Sequence, residues 1–295
     1  MFIDLNKKHW QLLTLLLLAI IWGSSFILMK KGMETFTNTE VAALRIFIAF
    51  LVLTPFSLTN LHHLKGKFLF PLICSGILGN AIPAFLFTKA QTVISSSLSG
   101  MLNSLTPLLT MLVGVLLFNL KIHRMNVIGV IIGLIGAMAL LLNGNSFGFS
   151  QETLYGFLVI LATLCYAFSV NIIKKYLKEL SAVIITSLAL FFVGPLCGIY
   201  LFTTDFMDSF SKENAATNFG YIIILGVIGT SAGVIIFNFL IKKTSPVFAA
   251  SVTYIIPAVA IFWGSLDKET NNFAQILWIV VILLGVYLVN WTKRE

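Results

Sequence analysis

Polar and helix-breaking residues inside apolar stretches are where this chain could act on another molecule. Ser96, Gly100, Asn103 and Pro107 lie at i, i+4, i+7 and i+11, one stripe of a helix, and the pattern returns as Pro246, Ala250, Thr253 and Pro257. Pro107 and Pro257 each remove a backbone donor, so the carbonyls of Asn103 and Thr253 must be met by a neighbour, water or a bound molecule. Asn80, Pro83 and Phe87 form a second stripe, repeated 150 positions later as Thr230, Gly233 and Phe237. Pro83, Pro107, Gly233 and Pro257 are read as kink or gating positions. With Trp22, Ser25, Tyr166 and Tyr254 at similar depth, these groups describe an aromatic pocket with a few amides and hydroxyls, suited to an amphipathic small molecule.

Arg45 is the one unambiguous charge well inside an apolar stretch. It has two readings: a substrate anion contact, or a side chain that snorkels outward or pairs with Glu40, five residues and roughly 7–8 Å away along a helix. Bond-making chemistry has no residues to run it. There is no His-Glu-x-x-His, no Gly-x-Ser-x-Gly and no buried carboxylate pair, so no enzyme is expected. Cys74, Cys165 and Cys197 lack any metal or redox spacing and are read as packing residues. No cofactor or metal is expected.

These residues need elements that place them at depth. The chain divides into ten apolar stretches near 10–29, 40–58, 68–88, 95–118, 125–142, 154–173, 182–203, 219–241, 246–264 and 275–291, each near the ~20 residues a helix needs to cross a bilayer. Composition agrees: 58% hydrophobic and 10% charged residues lie far from the roughly 45–50% and 25% of soluble domains. The net charge of +8 is spread over short loops rather than gathered among aromatics, which excludes a nucleic-acid partner and makes the basic residues a report of orientation. With the N-terminus inside, the inner segments hold Lys7, Lys8, Lys65, Lys67, Lys121, Arg124, Lys174, Lys175, Lys178, Lys242, Lys243, Lys293 and Arg294. Outer loops collect acids such as Glu34, Glu40, Asp267 and Glu269. Both termini are therefore expected on the cytoplasmic side.

The ten stretches match as two sets of five. Gly79, Asn80, Pro83, Phe87, Ser95 and Pro107 recur as Gly229, Thr230, Gly233, Phe237, Ser245 and Pro257, and Trp22, Ser25, Lys30 and Lys31 recur 144 positions on as Tyr166, Ser169, Lys174 and Lys175. An odd number of spans per copy turns the second copy over in the membrane, a recurrent plan of secondary transporters. Lys30 and Lys31, on the outer side, are read either as a relic of duplication or as interface anchors. The expected fold is all-α and membrane-integral: ten transmembrane helices as two inverted-topology five-helix repeats, residues 1–148 and 149–295. The run Gly129, Gly133 and Gly136 has the small-xxx-small spacing of close helix packing.

At Trp22-Gly23-Ser24-Ser25-Phe26, Leu44-Arg45-Ile46-Phe47, the two prolines Pro107 and Pro257 and the Gly-rich fifth stretch, the chain resembles the EamA family of the drug/metabolite transporter superfamily. The resemblance covers nearly the whole chain. It implies a multi-pass permease of the bacterial inner membrane, with a central cavity lined mainly by spans 1, 3, 4, 6, 8 and 9 and with spans 5 and 10 peripheral. It also implies export of amino acids or related metabolites by alternating access, a lipid or lipid-linked flippase of the same fold being the alternative. The expected partners are a small-molecule substrate and the lipid bilayer, a homodimer being left open. Ala189 stands where Arg45 would be repeated, so a role for this arginine is not symmetric. None of the eleven Asp and Glu lies deep in a span, which favours facilitated diffusion or exchange over tight proton coupling.

Overall fold

The computed structural model describes residues 5–120, 124–142, 151–269 and 273–289. Lys121, Lys293 and Arg294, used above to argue orientation, and the end of the last stretch near Trp291 lie outside the described residues. All regular structure among the described residues is helical, because a helix satisfies its backbone groups within one segment and so tolerates hydrocarbon. In chain order the helices are α1 (Lys8–Gly32), α2 (Asn38–Thr59), α3 (Gly66–Ala90), α4 (Ser96–Phe118), α5 (Arg124–Leu142), α6 (Gln151–Tyr176), α7 (Ala182–Phe202), α8 (Ala215–Lys243), α9 (Pro246–Leu266) and α10 (Phe273–Val289). Eight of them are long and apolar enough to cross a membrane, and α5 and α10 contain shorter apolar stretches. The chain is a multi-pass helical membrane protein.

Side-chain caps set several helix starts. Thr37 and Glu40 form a reciprocal capping box at α2, with Glu40 Oε2 accepting from the Thr37 backbone N–H at 2.8 Å. Ser95, Ser181 and Ser245 accept from the N–H groups of Leu98, Ile184 and Phe248 at the starts of α4, α7 and α9. Each oxygen satisfies a donor that the first helical turn leaves open.

Two irregularities that sequence periodicity did not announce lie within α3 and α8, where the chain widens into π-helical turns at Ile77–Ala81 and Leu225–Ala232. Polar side chains bond carbonyls five residues back across these turns: Asn80 Nδ2 to Ser75, Thr230 Oγ1 to Leu225, and Ser231 Oγ to Gly226. Such wide turns cluster at functional sites in helices. The breaks expected from Pro107 and Pro257 are present. α4 leaves α-helical geometry at Ser104–Leu105, and α9 passes through a 3-10 turn at Ser251–Tyr254. Thr106 Oγ1 donates to the Asn103 carbonyl at 2.7 Å, so a local hydroxyl meets the group that Pro107 leaves without a donor.

Packing pairs α2 with α7, α5 with α10, α4 with α9, α4 with α6, α1 with α9, α3 with α6 and α1 with α8. Exchanging the first five helices for the second five maps this set onto itself. α5 and α10 meet through glycine: a Cβ on Gly285 would stand 2.5 Å from the Gly133 nitrogen and 2.6 Å from the Gly129 carbonyl oxygen. The small-residue run is therefore a packing seam. Cys165 and Cys197 are buried, Cys74 is half-buried, and all three are free thiols.

Candidate functional site

Between the two halves lies a cavity of about 100 Å³, lined by residues of α1, α2, α3, α4, α6, α8 and α9. Water needs roughly 10–15 Å³ by this measure, so the space admits several waters or part of a small solute. Trp22, Ser25, Asn80, Phe87, Asn103, Tyr166, Thr230, Phe237 and Thr253 all line it, as sequence placed them, and so does Arg45. Tyr254 does not; it packs half-buried against the surrounding apolar core. Pro83, Pro107, Gly233 and Pro257 are not among the residues that line it, and Gly233 packs against Trp22, where an added Cβ would lie 3.0 Å from the indole nitrogen. The stripe through Ser96, Gly100, Asn103 and Pro107 divides in the same way. Asn103 reaches the cavity, whereas Gly100 packs so closely on Ala260 that an added Cβ would lie 2.5 Å from its methyl.

The lining repeats itself across the halves. Trp22 meets Phe237 edge-on at 4.9 Å between ring centroids, and their counterparts Tyr166 and Phe87 stack at 6.0 Å. An added Cβ at Gly229 would lie 3.0 Å from Ser25 Oγ, and one at Gly79 would lie 2.5 Å from Ser169 Oγ. Glycine at both positions lets α8 approach α1 and α3 approach α6. Trp22 Nε1 donates to the Gly229 carbonyl at 2.9 Å, which leaves the indole faces for the cavity and for Phe237.

Arg45 breaks the match. Its Nε donates to Thr230 Oγ1 at 3.2 Å and its Nη1 to Met29 Sδ at 3.4 Å, both neutral acceptors and the second a weak one. Glu40 is committed to the α2 capping box, and Arg45 forms no ion pair among the described residues. The outward-snorkelling and Glu40-paired readings are thus replaced by a guanidinium that faces the cavity. A charge in this setting is costly until an anion meets it, and a guanidinium presents the planar fork that carboxylates fit.

Sequence reasoning missed a second polar constellation. Glu269, placed among the loop acids, folds back onto the start of α4. Its Oε1 accepts from Ser96 N at 3.1 Å, Ser96 Oγ at 2.8 Å and Lys30 Nζ at 2.8 Å, while Oε2 accepts from Ser97 N at 3.0 Å and Ser97 Oγ at 2.7 Å. Asp267 adds ion pairs to Lys30 at 2.6 Å and Lys31 at 2.7 Å. Lys30 and Lys31 therefore tie α1 to the loop after α9. Burial works to raise the Glu269 carboxyl, but Lys30, both serine hydroxyls and the Ser97 N–H outweigh it and bring it down to about 2. The signal in the sequence was faint: an acid just past α9 and a Ser-Ser pair at a helix start, 173 positions apart.

The other end of the bundle closes differently. Lys174, counterpart of Lys30, donates to the carbonyls of Ile241 and Lys242 at 3.0 and 3.2 Å and to that of Thr244, and Lys242 donates to the Leu180 carbonyl. The position matched to Glu269 is Asn119. One end is held by a carboxylate, the other by lysines on helix-terminal carbonyls.

Eight helices long and apolar enough to cross a membrane, seven of which line a polar and aromatic cavity, define a multi-pass membrane protein. A family model described as the EamA-like transporter family matches residues 9–142 and again residues 153–291, and the chain belongs to that family. It is 25% identical to YedA, an uncharacterized inner membrane transporter of Escherichia coli, over 94% of this chain and 89% of that protein. It is 24% identical to an uncharacterized transporter of Archaeoglobus fulgidus over 96% and 98% of the two chains, and 23% identical to the protein PagO of Salmonella typhimurium over 92% and 90%. A solved structure described as a crystal structure of a protein matches with TM-score 0.68 at 14% identity, covering 96% of this chain and 97% of that one. That likeness concerns the fold alone.

Proposed function

We propose that this protein is a secondary transporter of the bacterial inner membrane that exports amino acids or closely related amphipathic metabolites by alternating access. The two matched sets of helices, residues 1–148 and 149–295, are inverted five-helix repeats, and all ten helices cross the membrane with both termini in the cytoplasm. Support for the repeat comes from the double family match and from the paired cavity contacts. In this orientation the Glu269 latch shuts the outer end.

The observation that carries the substrate reading is Arg45, a cavity-lining cation met only by neutral acceptors. Nη2 forms no hydrogen bond among the described residues and can meet a carboxylate, and the neighbouring rings accept an apolar body. The test is uptake of a panel of radiolabelled amino acids by purified protein in proteoliposomes. Arg45→Gln should reduce flux of carboxylate-bearing substrates at least ~10-fold, as for a charge-assisted hydrogen bond worth about 1.5–3 kcal/mol. Unchanged flux in a folded variant would remove Arg45 from the pathway.

A further inference from the structure

Asn238 lies on α8 eight residues beyond Thr230, about 12 Å along the helix at 1.5 Å per residue, and lines the same cavity as Arg45. It is 1% exposed. Its Nδ2 donates to Thr186 Oγ1 at 2.9 Å, and that hydroxyl commits its single proton to the Ala182 carbonyl, also at 2.9 Å. A hydroxyl so committed can only accept, so the amide must present its NH₂ there and its orientation is fixed. Asn238 Oδ1 is then an acceptor, buried and without a hydrogen-bond partner. Native structures seldom leave such an atom unpaired without a reason.

Arg45 and Asn238 thus line the cavity about two helical turns apart, the first with a donor group unbonded among the described residues and the second carrying an unused acceptor that no water reaches in this structure. Among the described residues no carboxylate lines it, so a side-chain ammonium, unlike the α-ammonium that the substrate's own carboxylate offsets, would add net charge to that of Arg45, and a neutral N–H suits Asn238 better. Building on the reading of Arg45 as the carboxylate contact, we propose that Asn238 Oδ1 receives a neutral N–H at the far end of the substrate. The transported compound is then an elongated amino acid or related acid whose side chain ends in an amide-like or urea-like donor. The α-amino group lies too close to the carboxylate to reach this acceptor. Because the atom is closed off from water in this structure, the hydrogen bond forms as substrate enters.

The test compares three radiolabelled probes of similar length in proteoliposomes: L-citrulline, with a neutral terminal N–H; L-lysine, with a terminal ammonium; and L-norleucine, with neither. Wild-type protein should favour citrulline over both others by about three- to tenfold, the range for one net hydrogen bond. Asn238→Leu should bring citrulline down to the norleucine rate. Arg45→Gln should lower citrulline and norleucine together. Ratios within each variant cancel differences in folded protein. A wild type that shows no preference for citrulline, or that moves none of the three, overturns the proposal, as does a preference that survives Asn238→Leu. If Arg45→Gln alone is silent, the carboxylate reading fails while the Asn238 ratio still reports on its own site.

Discussion

Glu269 uses its two oxygens to accept five hydrogen bonds, and each partner favours the ionised form. Its carboxyl is brought to about 2 in the latched state from an ordinary value of 4.5, a preference of ~3 kcal/mol for the latched ion. The sign follows from linkage. A depressed value stabilises the latch at every pH above 4.5, and that contribution fades only as pH falls from 4.5 toward 2. Labelling of Met29→Cys by an impermeant maleimide, in a background without the three native cysteines, should therefore be equally slow at pH 7.5 and pH 5.5 once corrected for thiolate reactivity. Glu269→Gln, which places an amide NH₂ among donors, should raise that labelling by ~10-fold or more. At this scale Arg45 was legible, because a charge in an apolar run stands out. Glu269 was not, since its meaning depends on residues 173 positions away.

The latch also depends on how α9 ends. Gly264 passes so close to Ser97 and Glu269 that an added Cβ would lie 2.0 Å from Ser97 Oγ and 2.6 Å from Glu269 Oε2, and Lys268 adopts a left-handed φ of 60° that turns the chain back. Gly264→Ala should accordingly open the same end as Glu269→Gln and give matching maleimide labelling, with a lower melting temperature, because the crowding and the lost carboxylate contacts both destabilise the fold. The proline breaks in α4 and α9 could be read from composition, since proline removes a donor wherever it sits. The π turns could not. They depend on side chains of Asn80, Thr230 and Ser231 folding back five residues to a carbonyl, a choice that apolar periodicity does not encode. Tyr254 was misplaced for a related reason, because the 3-10 turn at Ser251–Tyr254 rotates it away from the face that a continuous helix would give it.

Across the whole molecule the plainest feature of the sequence is its matched motifs at offsets of 144 and 150, in a chain that the family model matches twice. The chemical inequality of the two ends was not legible, because it lies in which side chains the matched positions carry. A carboxylate secures one end, and among the described residues neither a carboxylate nor a histidine lines the cavity, so the centre offers no group that ordinarily titrates near neutral pH. Proteoliposomes given a pH gradient alone should not accumulate substrate above its equilibrium level, whereas preloaded substrate should speed exchange. Accumulation driven by the pH gradient would require a proton site that this cavity lacks among its described residues.

The solitary charge of Arg45 has an electrical consequence. Empty, the site carries +1, with no acid lining the cavity among the described residues. A zwitterionic amino acid leaves that net charge in place, and only a monoanionic acid without an ammonium brings the site to neutral. When the access path switches sides, the membrane field redistributes across the site, and moving one charge through the full field corresponds to about 2.3 kcal/mol per 100 mV. Voltage should then act on the carrier both empty and loaded with a zwitterion, and spare only the carrier loaded with a monoanionic acid. Exchange of a zwitterionic amino acid should change under a potassium diffusion potential while exchange of its amino-free monoanionic analogue stays flat, and Arg45→Gln should reverse the two behaviours in whatever residual flux it retains.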